Sequence, residues 1–203
     1  MTDVDAKHHA SLRERKKART RASIREHALR LFREQGYELT TVEQIAAAAE
    51  VSPSTFFRYF PTKEDVVLRD DLDDRILEAF VRQPASLTPV AAVRAAIREA
   101  IETFTPAEWE ELREAAALNH TVPEIRARIM AELARTIDAM AEALAKRTGR
   151  PADDLAVRTY VGAVFGVMLS VLSPSTYTPA DMGKQQFTRI DEALALLENG
   201  LPL

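Results

Sequence analysis

The segment Ser52–Tyr59, SPSTFFRY, places hydroxyl, aromatic and guanidinium groups next to one another. Pro53 suits the first position of a helix, and the serine before it is a common N-cap residue. Phe56 and Phe60 lie four residues apart, so a helix would bury both on one face and leave the polar and aromatic side chains on the other. Hydroxyls and guanidinium groups hydrogen-bond to phosphates, and an arginine can also bind the edge of a guanine in the major groove. The segment therefore predicts a helix that contacts DNA.

A second short helix is expected immediately before this one, with Thr41 as its N-cap. Its apolar residues recur at helical spacing, at Val42, Ile45, Ala46 and Ala49. Val51 then closes a tight turn, and two short helices around such a turn form a helix-turn-helix DNA reader. Glu50 stands in this turn, where a left-handed backbone would cost a residue other than glycine on the order of 1 kcal/mol. Glu50 could instead serve as a cap or simply face solvent.

The distribution of charge also favours DNA binding at the N-terminal end. Residues 1–63 contain 12 Lys/Arg and 8 Asp/Glu, a net charge of +4, whereas the remainder contains 15 and 23, a net charge of −8. Between Lys7 and Arg33 there are ten basic and two acidic residues. Such a segment could by itself be a solvated tail, but directly before a helix-turn-helix we interpret it as an arm that contacts DNA.

Several classes of function lack the residues they need. Cysteine is absent, which excludes disulfides, thiol nucleophiles and cysteine metal sites. The sequence has no HExxH motif, nucleophile elbow or glycine-rich phosphate loop, and the adjacent pair His8 and His9 is a poor metal site, so we expect no enzyme, no metal and no cofactor. No signal peptide is visible, and the apolar stretch Val161–Leu172 is too short to span a bilayer, so we expect a soluble, cytoplasmic protein.

The remaining pattern is helical throughout. Residues 1–10 predict a disordered tail, residues 11–35 a first helix that ends at Gly36, and Thr62 the start of a long helix that continues to Phe80. Thr-Pro and Gly-Arg-Pro sequences then punctuate five further helices, at about 89–104, 106–119, 122–148, 151–172 and 179–199. We therefore predict an all-α fold of about nine helices, with a DNA-binding domain at 11–61 and a helical domain at 62–203.

Residues 19–68 resemble the DNA-binding domain of the TetR family of transcriptional regulators. The resemblance is carried in order by IREHALRLFREQGYELTT, VEQIAAAAEVS and TFFRYFPTKED. It implies an N-terminal three-helix DNA-binding domain followed by a C-terminal helical domain for ligand binding and dimerisation. The implied function is a ligand-responsive repressor that binds a palindromic DNA operator as a homodimer and is released by a small, largely apolar molecule. Many relatives have glycine where this chain has Glu50.

The resemblance also implies which residues touch DNA. Arg58 is expected to read a base, with a phosphate clamp as the alternative, and Lys63 is expected to pair with a phosphate. Arg19 and Arg21 could follow the DNA backbone or enter a minor groove. The predicted DNA-binding residues are Arg19, Arg21, Thr41, Ser52, Ser54, Thr55, Phe57, Arg58, Tyr59 and Lys63.

The last two helices are apolar on more than one side, so they are expected both to bury against their own domain and to form a dimer interface. Gly162 and Gly166, four residues apart, would let a partner helix approach closely. The predicted interface residues are Tyr160, Val161, Gly162, Val164, Gly166, Val171, Phe187, Ile190, Leu194 and Leu197.

The middle helices are expected to enclose a pocket for the small-molecule effector. Bulky apolar residues could line it, and a few polar groups could orient one end of a ligand, although each of them could equally be plain core. The predicted pocket residues are Phe104, Trp109, Leu112, Arg113, Leu118, Asn119, His120, Met130, Ile137, Met140, Phe165 and Met168. Two alternatives stay open, a helical protein-interaction module without specific DNA binding and a transcriptional activator of the same fold.

Overall fold

The computed structural model describes residues 3–68, 70–173, 176, 178, 179 and 182–202. These residues form nine α-helices and one short 3₁₀ helix and contain no strand, which confirms the predicted all-α fold. The chain divides into two compact units, a head at Met1–Leu68 and a body at Arg69–Leu203. The head contains α1 Asp3–Gln35, α2 Val42–Ala48, α3 Pro53–Tyr59 and the 3₁₀ helix Glu64–Val67. The body contains α4 Asp70–Arg82, α5 Pro89–Glu102, α6 Pro106–Thr121, α7 Pro123–Thr148, α8 Leu155–Val171 and α9 Lys184–Glu198.

The first helix of the head is longer than the sequence predicts. α1 begins at Asp3 rather than at residue 11, so residues 3–10 are helical where a disordered tail is expected, and residues 1 and 2 lie outside the described part of the chain. This segment contains neither glycine nor proline, so no helix-breaking residue separates it from the rest of α1.

The long helix predicted from Thr62 to Phe80 is divided in two. The 3₁₀ helix ends at Val67, Leu68 is extended with φ −67° and ψ 139°, and α4 begins at Asp70. The 3₁₀ helix packs against α1, and its residues Asp65 to Val67 are buried. The boundary between the units therefore falls after Leu68 instead of after residue 61, because this short helix belongs to the core of the head.

Glu50 adopts a left-handed backbone conformation, with φ 55°, which is one of the possibilities that the sequence leaves open. Its N–H donates to the Ala47 carbonyl at 3.1 Å, and the Val51 N–H donates to the Ala46 carbonyl at 2.9 Å. These two bonds form a Schellman motif that ends α2, a position where glycine is usual. The turn before α3 is thus built with a residue that strains it.

Replacing Glu50 with glycine is expected to stabilise the head. Glycine has no Cβ and adopts the left-handed conformation without strain, so the free energy of unfolding should rise by about 1 kcal/mol. Calorimetric unfolding of the full chain should show the transition of the head at a higher temperature. The matched control is Glu43→Gly, the same change at an exposed position within α2, which should lower that temperature. A lower transition temperature for Glu50→Gly would contradict the prediction that Glu50 strains this turn.

Two helices of the body begin where their capping sequences predict. The Thr88 hydroxyl accepts a bond from the Ala91 N–H at 3.1 Å, which caps α5. Thr105 and Glu108 form a complete capping box at the start of α6, with the Thr105 N–H donating to the Glu108 carboxylate at 2.8 Å. These caps fix the direction in which each helix leaves its preceding loop.

The last two helices begin later than predicted. α8 starts at Leu155 rather than at residue 151, because the Asp154 carboxylate accepts from the Ala156 N–H at 2.7 Å and caps the helix there. α9 starts at Lys184 rather than at residue 179, because the Met182 N–H donates to the Pro179 carbonyl at 3.2 Å and closes a turn first. Proline and threonine thus marked loops before these helices instead of their first turns.

The core of the body lies where α4, α5, α7, α8 and α9 pack together. Its largest fully buried side chains are Phe80, Val161, Val164, Ile190 and Leu194. Complete burial of such a side chain contributes about 1.5–3 kcal/mol relative to exposure. This core holds in place the helices that surround a cavity between α4, α5, α7 and α8.

An ion-pair cluster joins α5 to α9 at the edge of this core. The Arg94 guanidinium donates two bonds to the Asp191 carboxylate, both at 2.9 Å, and a third to Glu198 at 3.0 Å. The bond from Arg94 lowers the pKa of the Asp191 carboxyl below its usual value. Such a two-pronged pairing fixes orientation as well as distance between the two helices.

Candidate nucleic-acid interface and ligand cavity

Helix α3 is anchored by two phenylalanines on one face. The side chains of Phe56 and Phe60 are fully buried, and their ring centroids lie 5.8 Å apart. The opposite face is at the surface, where the Phe57 side chain is 51% exposed and Arg58 is exposed. The two buried phenylalanines therefore orient α3 so that its opposite face lies at the surface, as the sequence predicts.

The hydroxyl groups of α3 gather at its first turn. The Ser52 Oγ accepts from the Thr55 N–H at 3.1 Å and lies 2.9 Å from both the Ser54 Oγ and the Thr55 Oγ1. Ser52 and Ser54 are exposed and Thr55 is half-buried. One small surface thus offers three hydroxyls that can bind phosphate oxygens or base edges.

Helix α2 is capped by Thr41, which is also exposed. Its hydroxyl accepts from the Gln44 N–H at 3.3 Å, and its own N–H donates to the Gln44 Oε1 at 2.9 Å. The Gln35 side-chain amide at the end of α1 donates to the same Oε1 at 2.9 Å. The roles of Gln35 and Gln44 in this network were not predicted from the sequence. The network fixes the position of α2 and its exposed threonine relative to α1.

Arg58 and Arg19 are the two predicted DNA-binding cations whose side chains are exposed. The Arg58 guanidinium lies 5.4 Å from the centroid of the Tyr59 ring, and within the described part of the chain it forms no salt bridge. Arg19 lies on the outer half of α1, where the described side chains from Leu12 to Arg19 are all exposed. Both guanidinium groups are therefore available to a polyanion.

Arg21 and Lys63 have structural contacts that the sequence did not predict. The Arg21 guanidinium donates to the Tyr59 carbonyl at 3.3 Å and lies 4.6 Å from the centroid of the Phe60 ring. The Lys63 ammonium donates to the carbonyls of Tyr37 and Thr40 at 3.0 and 3.1 Å. An ammonium has three N–H groups, so one of them is left for a phosphate. Each residue therefore holds elements of the head together as well as lying near the predicted interface.

Tyr37 links this lysine to the 3₁₀ helix. The Lys63 ammonium lies 3.8 Å from the centroid of the Tyr37 ring, and the tyrosine hydroxyl donates to the Glu64 carboxylate. Burial alone would raise the pKa of the Glu64 carboxyl, but the bond from Tyr37, hydrogen bonds from the local backbone and Thr62, and the charge of Lys63 lower it overall. Glu64 is therefore held in its charged form beside the lysine.

Arg25 is a buried cation that the sequence analysis did not single out. Its side chain is 6% exposed, and its Nε and Nη2 donate to the carbonyls of Val66 and Leu68 at 3.1 and 2.5 Å. The sequence does indicate that residue 25 is buried, because it follows the buried Ile24 and lies four residues before the buried Leu29 on the apolar stripe of α1. The guanidinium fixes the end of the 3₁₀ helix against α1.

The body encloses a cavity of about 210 Å³ between α4, α5, α7 and α8. Three of the predicted pocket residues line it, namely Met140, Phe165 and Met168. The lining residues that the sequence analysis missed are Asp73, Asp74, Ile76, Leu77, Val93, Ile97, Glu132, Arg135, Thr136, Ala139 and Val164. Many of these lie on α4 and α5, whose apolar residues the sequence could not divide between core and cavity.

The other predicted pocket residues lie elsewhere. Phe104 and Trp109 line a second and larger groove, of about 520 Å³, between α5, α6 and α9, where the tryptophan ring packs edge-on against Phe104 and Phe187, with centroids 5.0 and 5.6 Å away. Leu112 packs in a small cluster with Ala116. The remaining six line neither the cavity nor this groove, namely Arg113, Leu118, Asn119, His120, Met130 and Ile137.

Three of these six have a clear reason for their placement. Arg113 pairs with Glu110 one turn earlier, Met130 is 45% exposed, and Ile137 packs against the main core. The backbone carbonyl of Asn119 accepts from the Arg126 Nε at 3.1 Å, which ties the end of α6 to α7. Among the described residues, the side-chain Oδ1 of Asn119 is buried without a hydrogen-bond partner. Nearness in sequence therefore did not translate into a shared pocket.

The residues predicted for the dimer interface divide into three groups. Val161, Val164, Ile190 and Leu194 are buried in the core of the body, so they support α8 and α9 from within. Tyr160, Val171, Phe187 and Leu197 are half-buried and pack against that core. Gly162 and Gly166 are exposed, and a Cβ added at either would meet nothing within 4 Å. Three further leucines on the same two helices are exposed, at Leu155, Leu169 and Leu196.

Comparison with known proteins finds matches over most of the chain. A family model described as bacterial regulatory proteins, tetR family, matches residues 24–69, and one described as the MftR C-terminal domain matches residues 87–202. The chain is 37% identical over 179 residues to the HTH-type transcriptional regulator TcmR of Streptomyces glaucescens, covering 84% of this chain and 78% of TcmR.

Solved structures give the same result. The Thermus thermophilus TetR-family transcriptional repressor FadR, in complex with lauroyl-CoA, is 26% identical, with a TM-score of 0.53 over 90% of this chain and 95% of FadR. The fatty acid degradation regulator FadR of Bacillus halodurans is 23% identical, with a TM-score of 0.55 over 90% of this chain and 96% of that protein.

Of the helices that the structure describes, none is long and apolar enough to cross a membrane.

Proposed function

The chain belongs to the TetR family of transcriptional regulators, and we propose that it is a repressor that binds a palindromic operator as a homodimer and is released by a small molecule. Its relatives are DNA-binding regulators with a helix-turn-helix rather than enzymes, in agreement with the sequence prediction. The observation that carries the proposal is the outer face of α3, where hydroxyls, an aromatic ring and an arginine stand exposed on a helix anchored by two buried phenylalanines.

The proposed DNA contacts follow from what each exposed group can do. Arg58 reads a base, since arginine pairs with two acceptors of guanine in the major groove. The hydroxyls of Ser52, Ser54 and Thr55 and that of Thr41 bind phosphates, while Phe57 and Tyr59 pack against the sugar-base surface. Arg19, Arg21 and the remaining N–H of Lys63 add attraction to the backbone. Phosphate contacts set the position of α3 and Arg58 supplies the sequence preference.

The proposed homodimer uses the outer faces of α8 and α9. Gly162 and Gly166 leave open space for a partner helix, and Leu155, Leu169 and Leu196 are apolar side chains that are 82%, 39% and 51% exposed. A second copy would bury these leucines, and a twofold axis would present two α3 helices to two half-sites of a palindrome. The core residues beneath, such as Val161, keep this face rigid.

The proposed effector site is the cavity between α4, α5, α7 and α8. Its interior is apolar, and the FadR relative of known structure holds a small molecule, which supports a ligand site in a body of this fold. A ligand that fits only the DNA-incompetent form of the dimer would shift the population toward it. A coupling of about 1–3 kcal/mol would lower the affinity for DNA five- to 150-fold.

Arg58→Ala is expected to remove the base preference at one position of each half-site. The loss of a two-acceptor contact should cost about 1–3 kcal/mol on the preferred operator and much less on operators changed at that position. Fluorescence anisotropy titrations with the operator and its single-base variants measure both effects. The control is Arg19→Ala, which should weaken binding to all sequences alike and reduce the salt dependence by about one phosphate contact. An equal loss on every sequence for Arg58→Ala would make it a phosphate clamp.

A further inference from the structure

The groove between α5, α6 and α9 is larger than the cavity proposed for the effector. Its volume is about 520 Å³, against about 210 Å³ for the cavity between α4, α5, α7 and α8. The larger value falls within the range of about 300–1,000 Å³ that is typical of ligand sites. Of the described residues, only Ile97 lines both spaces, so they lie on different sides of α5. The groove is therefore a separate site, and the proposed function gives it no role.

Three aromatic rings from different parts of the chain line the groove together. Phe104 comes just before α6, Trp109 lies in the first turn of α6, and Phe187 lies in the first turn of α9. All three side chains are half-buried, and the tryptophan ring packs edge-on against both of the others. An aromatic ring that enters the groove can pack against these rings in the same edge-to-face or offset manner. The lining thus favours planar aromatic compounds over saturated ones.

The aromatic lining is held in place by a residue of α4. The Arg75 guanidinium lies 5.0 Å from the centroid of the Phe104 ring. It also donates to the Ala100 carbonyl at 2.6 Å and to the Glu108 carboxylate at 3.1 Å. Arg75 does not itself line the groove, so it supports the ring from outside. A site whose side chains are already ordered loses less entropy when a ligand binds.

Two hydrogen-bond donors of the groove have no partner in the part of the chain that the structure describes. The indole N–H of Trp109 makes no hydrogen bond there, and the Lys184 ammonium pairs with no carboxylate. Lys184 is also the first residue of α9, at the end of the helix where the dipole is positive and favours an anion. A carboxylate bound beside Lys184 would therefore be attracted by both the ammonium and the helix end.

Most other charges of the groove are already paired. Arg94 binds Asp191 and also Glu198, which lies outside the lining, and Arg98 is 3.5 Å from the same Asp191 carboxylate. Glu102 is exposed and, like Lys184, has no partner among the described residues. The position of a ligand's charge is therefore decisive, because an anion is attracted near Lys184 and repelled near Glu102.

We propose that this groove binds planar aromatic carboxylates, with the ring system against Phe104, Trp109 and Phe187 and the carboxylate beside Lys184. Burial against the rings supplies most of the affinity. The ammonium adds a smaller preference for an anion, because a pair exposed to solvent is screened. The inference goes beyond the proposed function, since it requires neither the DNA-binding face nor the cavity between α4, α5, α7 and α8.

The test uses the single tryptophan of the chain, which lines the groove. Replacing it with 5-fluorotryptophan gives the full-length protein one fluorine NMR signal that reports on this site. The probes are 2-naphthoate, 2-naphthylmethanol and the saturated acid decahydro-2-naphthoate. We expect 2-naphthoate to shift the signal saturably. By isothermal titration calorimetry it should bind about threefold more tightly than the alcohol and about tenfold more tightly than the saturated acid.

Variants assign the two parts of this preference. Phe104→Leu with Phe187→Leu removes two rings but keeps apolar side chains, and it should weaken the binding of 2-naphthoate about tenfold. Lys184→Gln should weaken it about threefold and leave the alcohol unchanged. The matched control is Lys146→Gln, which removes an exposed ammonium that does not line the groove. Ala139→Leu, which narrows the other cavity, should also leave the binding of 2-naphthoate unchanged.

The outcomes separate this inference from the proposed function. If no probe shifts the fluorine signal, the groove is not a ligand site, and the proposed effector cavity is unaffected. Equal affinities for 2-naphthoate and the saturated acid would overturn the role of the aromatic rings. Loss of binding in Ala139→Leu would place the ligand in the other cavity instead. A signal that shifts with protein concentration alone would mean that a second copy of the chain covers the groove, which would also overturn the inference. Failure to bind an operator, measured separately, would count against the proposed function alone.

Discussion

Phe56→Ala is expected to unfold the head and abolish DNA binding while the body stays folded. The Phe56 side chain is fully buried and contacts the rings of Phe57 and Phe60, so its truncation leaves a cavity in a unit that ends at Leu68. Truncations of buried phenylalanine cost about 3–5 kcal/mol, which is comparable to the total stability of a small domain. Calorimetry should show the loss of one of two transitions, and circular dichroism a partial loss of helix.

The adjacent residue provides the control. Phe57 is 51% exposed, so Phe57→Ala should leave both transitions near their wild-type temperatures and weaken DNA binding only through the lost contact. If Phe56→Ala kept a folded head and bound the operator normally, α3 would not depend on this anchor. The assignment of its two faces would then be wrong.

Arg25→Met is expected to produce the second largest effect, a loss of about 2–4 kcal/mol in the stability of the head. The methionine retains an apolar stem but removes two charge-assisted bonds to the carbonyls of Val66 and Leu68, each of which contributes about 1.5–3 kcal/mol when made by a charged group. Both carbonyl groups would lose the hydrogen bond from the buried guanidinium. Amide hydrogen exchange of the full chain should show the 3₁₀ helix exchanging faster than in the wild type, and urea unfolding should show the lower stability.

An exposed arginine on the same helix is the control for Arg25. Arg30 pairs with Glu34 on the surface of α1, and exposed pairs of this kind contribute between about 0 and 1 kcal/mol. Arg30→Met should therefore change the unfolding midpoint little. Equal effects of the two substitutions would mean that the buried bonds of Arg25 do not hold the 3₁₀ helix in place.

The head was largely predictable because its elements are defined by local signals. The Thr41 and Ser52 caps, the proline at the start of α3 and the spacing of Phe56 and Phe60 each act within one or two helical turns. The contacts of Lys63 with the carbonyls of Tyr37 and Thr40 span more than twenty residues, and a backbone acceptor leaves no trace in the sequence. Local chemistry thus predicted the short helices of the head, and only the structure revealed the long-range contacts that hold them together.

The body was less predictable because several of its helices are apolar on more than one side. Helix periodicity identifies which residues are apolar, but it does not identify which neighbour they face. Val161 and Ile190 belong to the core, whereas Leu155 and Leu196 lie outside it on the same two helices. The cavity was missed on α4 for a related reason, because acidic residues such as Asp73 are usually read as solvated surface. Packing between helices distant in sequence decided these placements.

We propose that this protein reads a palindromic DNA sequence through α3. The most direct test is selection of binding sites by the purified protein from a random-sequence duplex library at physiological salt, followed by sequencing. We predict enrichment of an inverted repeat whose half-site centres are separated by about 10–10.5 base pairs or a multiple of this. The Arg58→Ala variant should recover the same repeat with one position of each half-site relaxed. Salt-sensitive recovery of fragments that share no sequence would contradict the claim.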